Sequence, residues 1–275
     1  FAGASSYPGQ NGNCGGPGYG SNATVGKLNP AAPYGQILWT RESVPGLHSG
    51  SDWAMGVSVD GSGDAYITGK KHRNSTFDGM GANPTHPDSS AAFTAKINST
   101  GDWQWVNYGY GSTQTNGWGD LVYDAGSVYV VGHQSYGKGF VYSLDAQNGQ
   151  LQWESETGCD SQSAATPTCP TKLGHVEVDT NGDVYVTGSF STIGANSYPV
   201  WLEVGNSIHQ LPSGSTEGLV IAQLKQNGDW NWSISHGECG NFGQSNCLGE
   251  IAPFGLAING TEEIYIAGHF DHQSV

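Results

Sequence analysis

One motif occurs four times in the chain and limits its fold more than any other feature. Val59–Gly69 (VDGSGDAYITG), Tyr123–Gly132 (YDAGSVYVVG), Val178–Gly188 (VDTNGDVYVTG) and Ile258–Gly268 (INGTEEIYIAG) each read as strand, turn, strand. Asp, Asn and Gly supply the turn geometry, and the Tyr-x-x-Gly tail alternates as a strand does. A second hairpin pattern alternates with the first. Val25–Leu28 precedes Gly35–Trp39, Phe93–Ile97 precedes Gly101–Trp105, Phe140–Leu144 precedes Gly149–Trp153, and Leu219–Leu224 precedes Gly228–Trp232. In the Gly-x-Φ-x-Trp half, where Φ is a large apolar residue, the two large residues are two apart. Strand alternation therefore predicts that they share one face, with Asn231 facing away from Trp230 and Trp232.

Two hairpins per repeat make four strands, and four repeats predict sixteen short strands. Each sheet has two faces and cannot bury them alone. The expected class is all-β, a β-propeller of four-stranded blades. The whole of residues 1–275 is read as one propeller domain, or as a segment of a longer chain, since Phe1 is not an initiator Met. A loose match of the opening residues to Phe190–Pro199, together with Gly268-His269-Phe270, places Phe1, Phe190 and Phe270 in one phase. Two arrangements follow. A closed four-bladed ring would pair residues 25–40 with 255–268. Alternatively, the repeats are part of a larger propeller of roughly seven blades.

Composition agrees with short strands and excludes some partners. Glycine numbers 43, charged residues are 12% and the net charge is −15, with nine Lys plus Arg. Nucleic acid is a poor partner for such a chain. No apolar stretch is long enough for a membrane span. Three of the basic residues lie together in Lys70-Lys71-His72-Arg73, read as a solvated turn, with recognition of an acidic glycan or a carboxylate as the other reading.

Five cysteines are spaced unlike a zinc site. Cys159 with Cys169, and Cys239 with Cys247, are read as two local disulfides on long loops, leaving Cys14 over. Sequons stand at Asn22, Asn74, Asn98, Asn231 and Asn259. Together these predict a secreted, extracellular glycoprotein.

The run Val-Asp-x-x-Gly-x-x-Tyr-Val-Thr-Gly, then Phe-Val-x-Lys-Leu, then Gly-x-x-x-Trp resembles the SBBP-type β-propeller repeats of large exported proteins. Residues 56–69, 93–105, 174–190 and 218–232 carry the match, and the Asn259 turn and the Cys-bracketed insertions depart from it. The resemblance implies a propeller and an extracellular location, with no uniform function. Leu144–Glu154 also resembles one tryptophan-docking repeat of quinoprotein dehydrogenase propellers.

No catalytic motif of fixed spacing occurs. The turn acids Asp60, Asp64, Asp179 and Asp183 lack calcium-loop spacing and are assigned to turn closure. No cofactor is expected, calcium in other blade-connecting loops being the exception left open. The expected function is therefore non-enzymatic: a structural or interaction module that self-associates or binds other glycoproteins in a surface fibre or matrix. A carbohydrate-binding propeller is an alternative. Trp39, Trp105, Trp153 and Trp232 are expected in the core, leaving Trp53, Trp118 and Trp201 as candidate ligand contacts. A quinone-dependent or hydrolytic propeller enzyme is the remaining alternative.

Overall fold

The computed structural model describes residues 1–6, 21–32, 35–44, 51–72, 75–80, 91–109, 119–134, 137–159, 171–191, 200–211, 217–236, 251–260 and 263–270. Every regular element among them is a strand, and none of them belongs to a helix long and apolar enough to cross a membrane. In chain order the strands are β1 (Ala2–Ser6), β2 (Ser21–Asn29), β3 (Gln36–Val44), β4 (Trp53–Val59), β5 (Ala65–Lys71), β6 (Thr76–Phe77) and β7 (Ala91–Ile97). Then come β8 (Trp103–Tyr108), β9 (Leu121–Asp124), β10 (Ser127–His133), β11 (Gly139–Asp145), β12 (Leu151–Glu156), β13 (Gly158–Cys159) and β14 (Thr171–Val178). The last are β15 (Val184–Ser191), β16 (Val200–Val204), β17 (Ser207–Leu211), β18 (Glu217–Leu224), β19 (Trp230–His236), β20 (Ile251–Asn259) and β21 (Glu263–Phe270).

Four sheets have four strands, in the orders β1-β2-β3-β6, β4-β5-β7-β8, β12-β11-β10-β9 and β14-β15-β18-β19. The Tyr-x-x-Gly strand and the following Φ-x-x-x-Φ strand are central in three of them. The insertion after β15 is more than a loop, because β16 and β17 join β13 in a three-stranded sheet. The chain divides into two compact units, residues Phe1–Val128 with Leu144–Leu151, and Tyr129–Ser143 with Gln152–Val275, so the division runs through the third sheet.

The turns close as their residue types require. Asp60 Oδ1 accepts the N–H groups of Ser62 at 2.8 Å and Asp64 at 3.0 Å, while Tyr66 donates its hydroxyl to Asp60 Oδ2 at 3.1 Å. Asp179 repeats this with Asn181, Asp183 and Tyr185 at 2.8, 3.0 and 3.2 Å. These carboxylates therefore bind their own hairpins. The second repeat, Tyr123–Gly132, instead uses a two-residue turn with Ala125 at φ 46° and Gly126 at φ 91°. A left-handed alanine is strained, so Ala125→Gly is expected to raise stability by up to about 1 kcal/mol, read from urea unfolding.

Three expectations are corrected by register. First, the closed ring joining 25–40 to 255–268 is not formed. The edge of β2 it needs is taken by β1, with Gly3 opposite Thr24, and β21 pairs with β20 in a two-stranded sheet. Second, Gly3 opposite Thr24 matches Gly69 opposite Phe93, so Gly3 is the motif glycine. Phe1 thus lies two residues before that glycine, whereas Phe190 and Phe270 lie two after theirs. Third, the paired aromatics do not share a face. Trp103 opposes Ile97 and Trp105 opposes Lys96, with Gln104 as a bulge. Ile97 and Lys96 are neighbours on β7 and point to opposite faces, so their partners do too. Trp230 and Trp232, opposite Leu224 and Gln223, repeat the pattern around Asn231.

The bulge gives each tryptophan its own neighbour. Trp103 joins the core of Val25, Phe77, Phe93 and Ile97, with its ring T-shaped against Phe77 at 4.8 Å. Trp105 docks elsewhere. Its indole N–H donates to the Ala146 carbonyl at 3.2 Å, and its ring lies where a Cβ on Gly149 would come within 2.6 Å. Trp39 docks likewise on Ser99 and Gly101, its N–H 3.2 Å from the Ser99 carbonyl. In the second unit Trp153 does so on Gln226, at 2.8 Å, and on Gly228. The three receiving glycines have φ of 91°, 71° and 88°, which, with the indole above them, excludes a side chain. Docking thus operates in three repeats, more widely than the single dehydrogenase-like run suggests.

The basic run is not a solvated turn throughout. Lys71 is 0% exposed, and Arg73 lies outside the described residues. Asp52, also buried, accepts the Ser43 hydroxyl at 2.7 Å and the His72 N–H at 2.5 Å. The Lys71 ammonium stands 5.1 Å from the Tyr108 ring centre. Burial holds the Lys71 pKa below the ordinary amine value, against the opposing pull of the Asp52 charge. Burial, then Asp52, pushes the Tyr108 phenol up to about 12. Burial likewise raises Tyr66 to about 12, with Lys96 opposing and Asp60 assisting.

A phenol whose folded pKa is raised contributes stability that is complete below its ordinary value, 10.0 here, and lost as pH climbs through about 12. Lys71 acts in the other sense. Its burial penalty is present at low pH and is relieved as pH rises toward 10.5. The urea midpoint is therefore expected to fall between about pH 10.5 and 12, and Tyr108→Phe should blunt the fall.

Candidate functional site

The sequence pointed to no nucleophile, but the fold assembles one nucleophile–base pair. It depends on the insertion hairpin β16–β17, whose turn is Gly205 at φ 59°. A Cβ at Gly205 would meet the Trp230 Cβ at 2.6 Å, so glycine is what lets this hairpin close on β19. The approach brings His209 of β17 against Ser233 of β19. His209 Nε2 and Ser233 Oγ are 2.8 Å apart, both side chains being half-buried. Register holds each strand in turn, with His209 opposite Leu202 and Ser233 opposite Ala222. Leu202 and Ala222, the cross-strand neighbours of the pair, are both buried.

Burial lowers the His209 pKa from its ordinary value. At neutral pH its ring is therefore uncharged. With the proton on Nδ1, Nε2 can accept the Ser233 hydroxyl proton. A hydroxyl within hydrogen-bond reach of a neutral imidazole is the minimal arrangement for nucleophilic catalysis. The two residues are 24 apart in sequence and lie in no fixed-spacing motif. The only sequence sign was the sequon Asn231-Trp232-Ser233, which reads Ser233 for a different purpose.

The residues singled out from sequence are scattered. Trp53 is 39% exposed and stands opposite Lys70. Trp201 holds a register position opposite Gln210, and Trp118 lies outside the described residues. Cys159 ends β13, while Cys14, Cys169, Cys239 and Cys247 lie outside the described residues. Among the sequons, Asn22 is buried and donates its amide to Glu42 at 3.2 Å. Asn98 caps a turn, Asn259 is exposed at the end of β20, and Asn74 lies outside the described residues. Asn231 is the bulge residue and donates to Gln223 at 2.6 Å. Among the described residues no three His, Cys, Asp or Glu side chains are grouped to hold a metal ion.

No protein-family model and no curated protein matches the chain. Among solved structures, a europium-containing methanol dehydrogenase is similar at a TM-score of 0.52 and 13% identity, over 98% of this chain. The chain spans 45% of that dehydrogenase chain. BamB from Moraxella catarrhalis is similar at a TM-score of 0.29 and 11% identity, over 72% of this chain and 67% of that one. The fold is all-β and propeller-type.

This corrects the expected function. The non-enzymatic fibre or matrix module rested on a repeat fold joined to an absence of local catalytic motifs. A solved chain matched across nearly this whole length is named a methanol dehydrogenase. The repeat architecture is thus no argument for scaffolding. The absence of motifs is equally weak, because the Ser233–His209 pair is made by strands distant in sequence.

Proposed function

We propose that this protein is a hydrolase of propeller-type fold that cleaves acyl bonds, with Ser233 as nucleophile and His209 as general base. The observation that carries this reading is the 2.8 Å contact between Ser233 Oγ and a His209 ring kept neutral by burial. As Oγ attacks the substrate carbonyl carbon, its proton passes to Nε2. The resulting imidazolium gives that proton to the leaving group as the tetrahedral adduct collapses to the acyl-enzyme. Water then repeats the sequence and releases the acid. Ser233 is freed and His209 is neutral again.

The four-stranded sheets are read as blades of a propeller larger than four, in keeping with the greater length of the dehydrogenase chain. The sequons and cysteine spacing support an exported protein, and the repeat pattern supports kinship with the SBBP-type family. The test is labelling by a fluorophosphonate probe together with hydrolysis of small aryl esters. Ser233→Ala should abolish labelling, and His209→Gln should slow it by about 100-fold or more. The wild-type rate should rise with pH through a value below 6.5 and then level. Labelling that persists in Ser233→Ala, or a wild-type protein that neither labels nor hydrolyses any ester, would rule the proposal out.

A further inference from the structure

Trp105, Tyr66 and Tyr123 form an unbroken run of aromatic rings within the first compact unit. The Trp105 and Tyr66 ring centres are 6.2 Å apart, and the Tyr66 and Tyr123 rings are stacked at 5.2 Å and 7°. Trp105 and Tyr66 are buried, and Tyr123 is half-buried. Rings this close exchange an electron directly. The run therefore leads from an indole in the core to a tyrosine that solvent partly reaches.

What each ring does with its proton sets the direction. The Trp105 indole N–H donates to the Ala146 carbonyl at 3.2 Å. A peptide carbonyl is a very weak base, so an indole that loses an electron there keeps its proton and becomes a radical cation. The Tyr66 hydroxyl donates to Asp60 Oδ2 at 3.1 Å, with the Ala146 carbonyl farther off at 3.4 Å. An oxidised phenol is a strong acid, and a carboxylate in hydrogen-bond reach takes its proton. The Lys96 ammonium, 5.2 Å from the Tyr66 ring centre, opposes positive charge on that ring. Electron and proton therefore leave Tyr66 together. Asp64 holds Lys96 in place at 3.1 Å, and the N–H groups of Ser62 and Asp64 hold Asp60.

The same set recurs in the second unit. Tyr185 donates to Asp179 at 3.2 Å, and its ring centre lies 6.1 Å from that of Trp232. An oxidisable indole, a phenol and a carboxylate thus meet in two of the repeats.

We infer that Trp105, Tyr66 and Tyr123 form a relay that carries oxidising equivalents out of the core and spares the docked tryptophan from one-electron radical oxidants. The oxidant takes one electron from Trp105 and becomes its anion. Tyr66 returns an electron to the indole as its O–H bond breaks, and the proton passes to Asp60. Tyr123 then gives an electron to the Tyr66 radical, which recovers its proton from Asp60. The Tyr123 phenol releases its own proton to water. A soluble donor such as ascorbate supplies the hydrogen atom that restores Tyr123. All four side chains end as they began, with one electron moved from ascorbate to the oxidant and one proton released.

The test is pulse radiolysis of the intact protein with the azidyl radical, followed by indolyl and tyrosyl absorbance. The contribution of Trp105 is the difference between wild type and Trp105→Phe. That contribution should decay into tyrosyl absorbance at a rate independent of protein concentration. It should slow in D2O, because a proton moves with the electron. Asp60→Asn still accepts the Ser62 and Asp64 N–H groups but takes no proton from the phenol, so transfer should slow by about tenfold or more. Peptide mapping with a radical trap should place the adduct on Tyr123, and Tyr66→Phe should lose it. Equal wild-type rates in H2O and D2O would overturn the inference. So would unchanged transfer in Asp60→Asn, or a Tyr123 adduct that persists in Tyr66→Phe.

Discussion

Trp105→Ala is expected to lower the unfolding free energy by about 3–5 kcal/mol. The side chain is buried, so truncation removes a large apolar area and leaves a cavity. It also removes the bond to the Ala146 carbonyl and strips the cover from the Gly149 turn. That carbonyl lies 3.4 Å from the Tyr66 hydroxyl, which can turn to it from Asp60 when the indole is gone. Trp105→Phe should therefore cost only about 1–2 kcal/mol, for the lost bond and the smaller ring. Gly149→Ala should act from the other side of the contact, because its φ of 71° is left-handed and its Cβ would press on the indole. The comparison that decides is Trp53→Ala, at a partly exposed position, expected near 1 kcal/mol or less. Equal losses at 53 and 105 in urea unfolding would show that docking contributes nothing special.

Asp52→Ala is the other large effect, again about 3–5 kcal/mol. It leaves the Ser43 hydroxyl and the His72 N–H without their acceptor, and it removes the charge that favours the buried Lys71 ammonium. The Lys71 pKa should then fall further, which a carbon-13 titration of its side chain would follow. Lys71→Met in the Asp52→Ala background should restore part of the loss, because the uncompensated charge is gone. A cycle in which the two losses simply add would mean that Asp52 acts through its hydrogen bonds alone.

How much could be read from residues alone varies by element. The Asp60 and Asp179 turns were legible because their bonds run between residues two to six apart. The hairpins β4–β5, β7–β8, β14–β15 and β18–β19 were legible as strand, turn, strand. The bulges at Gln104 and Asn231 were not legible. One extra residue looks the same as regular alternation until the opposite strand shows two residues facing one. The candidate site was hidden for a related reason. His209 lies in an insertion whose strands β16 and β17 fall outside both repeat patterns, and Ser233 lies in a strand read as core. Lys71 was misread because a charged run near a turn gives no sign that one of its members points inward.

Short-range chemistry, written into the order of residues, was enough to specify an all-β chain of repeated hairpins closed by Asp, Asn and Gly turns. Such features depend on neighbours a few bonds away and on a period of two. Of Trp39, Trp105, Trp153 and Trp232, all expected in the core, only Trp105 is buried and the others are half-buried. Which edge each strand covers was settled only when the chain was packed. So were the carbonyl each indole reaches, the burial of Lys71 and the meeting of His209 with Ser233. Those outcomes depend on contacts between segments far apart in the chain, where a shift of one residue in register turns every side chain to the other face.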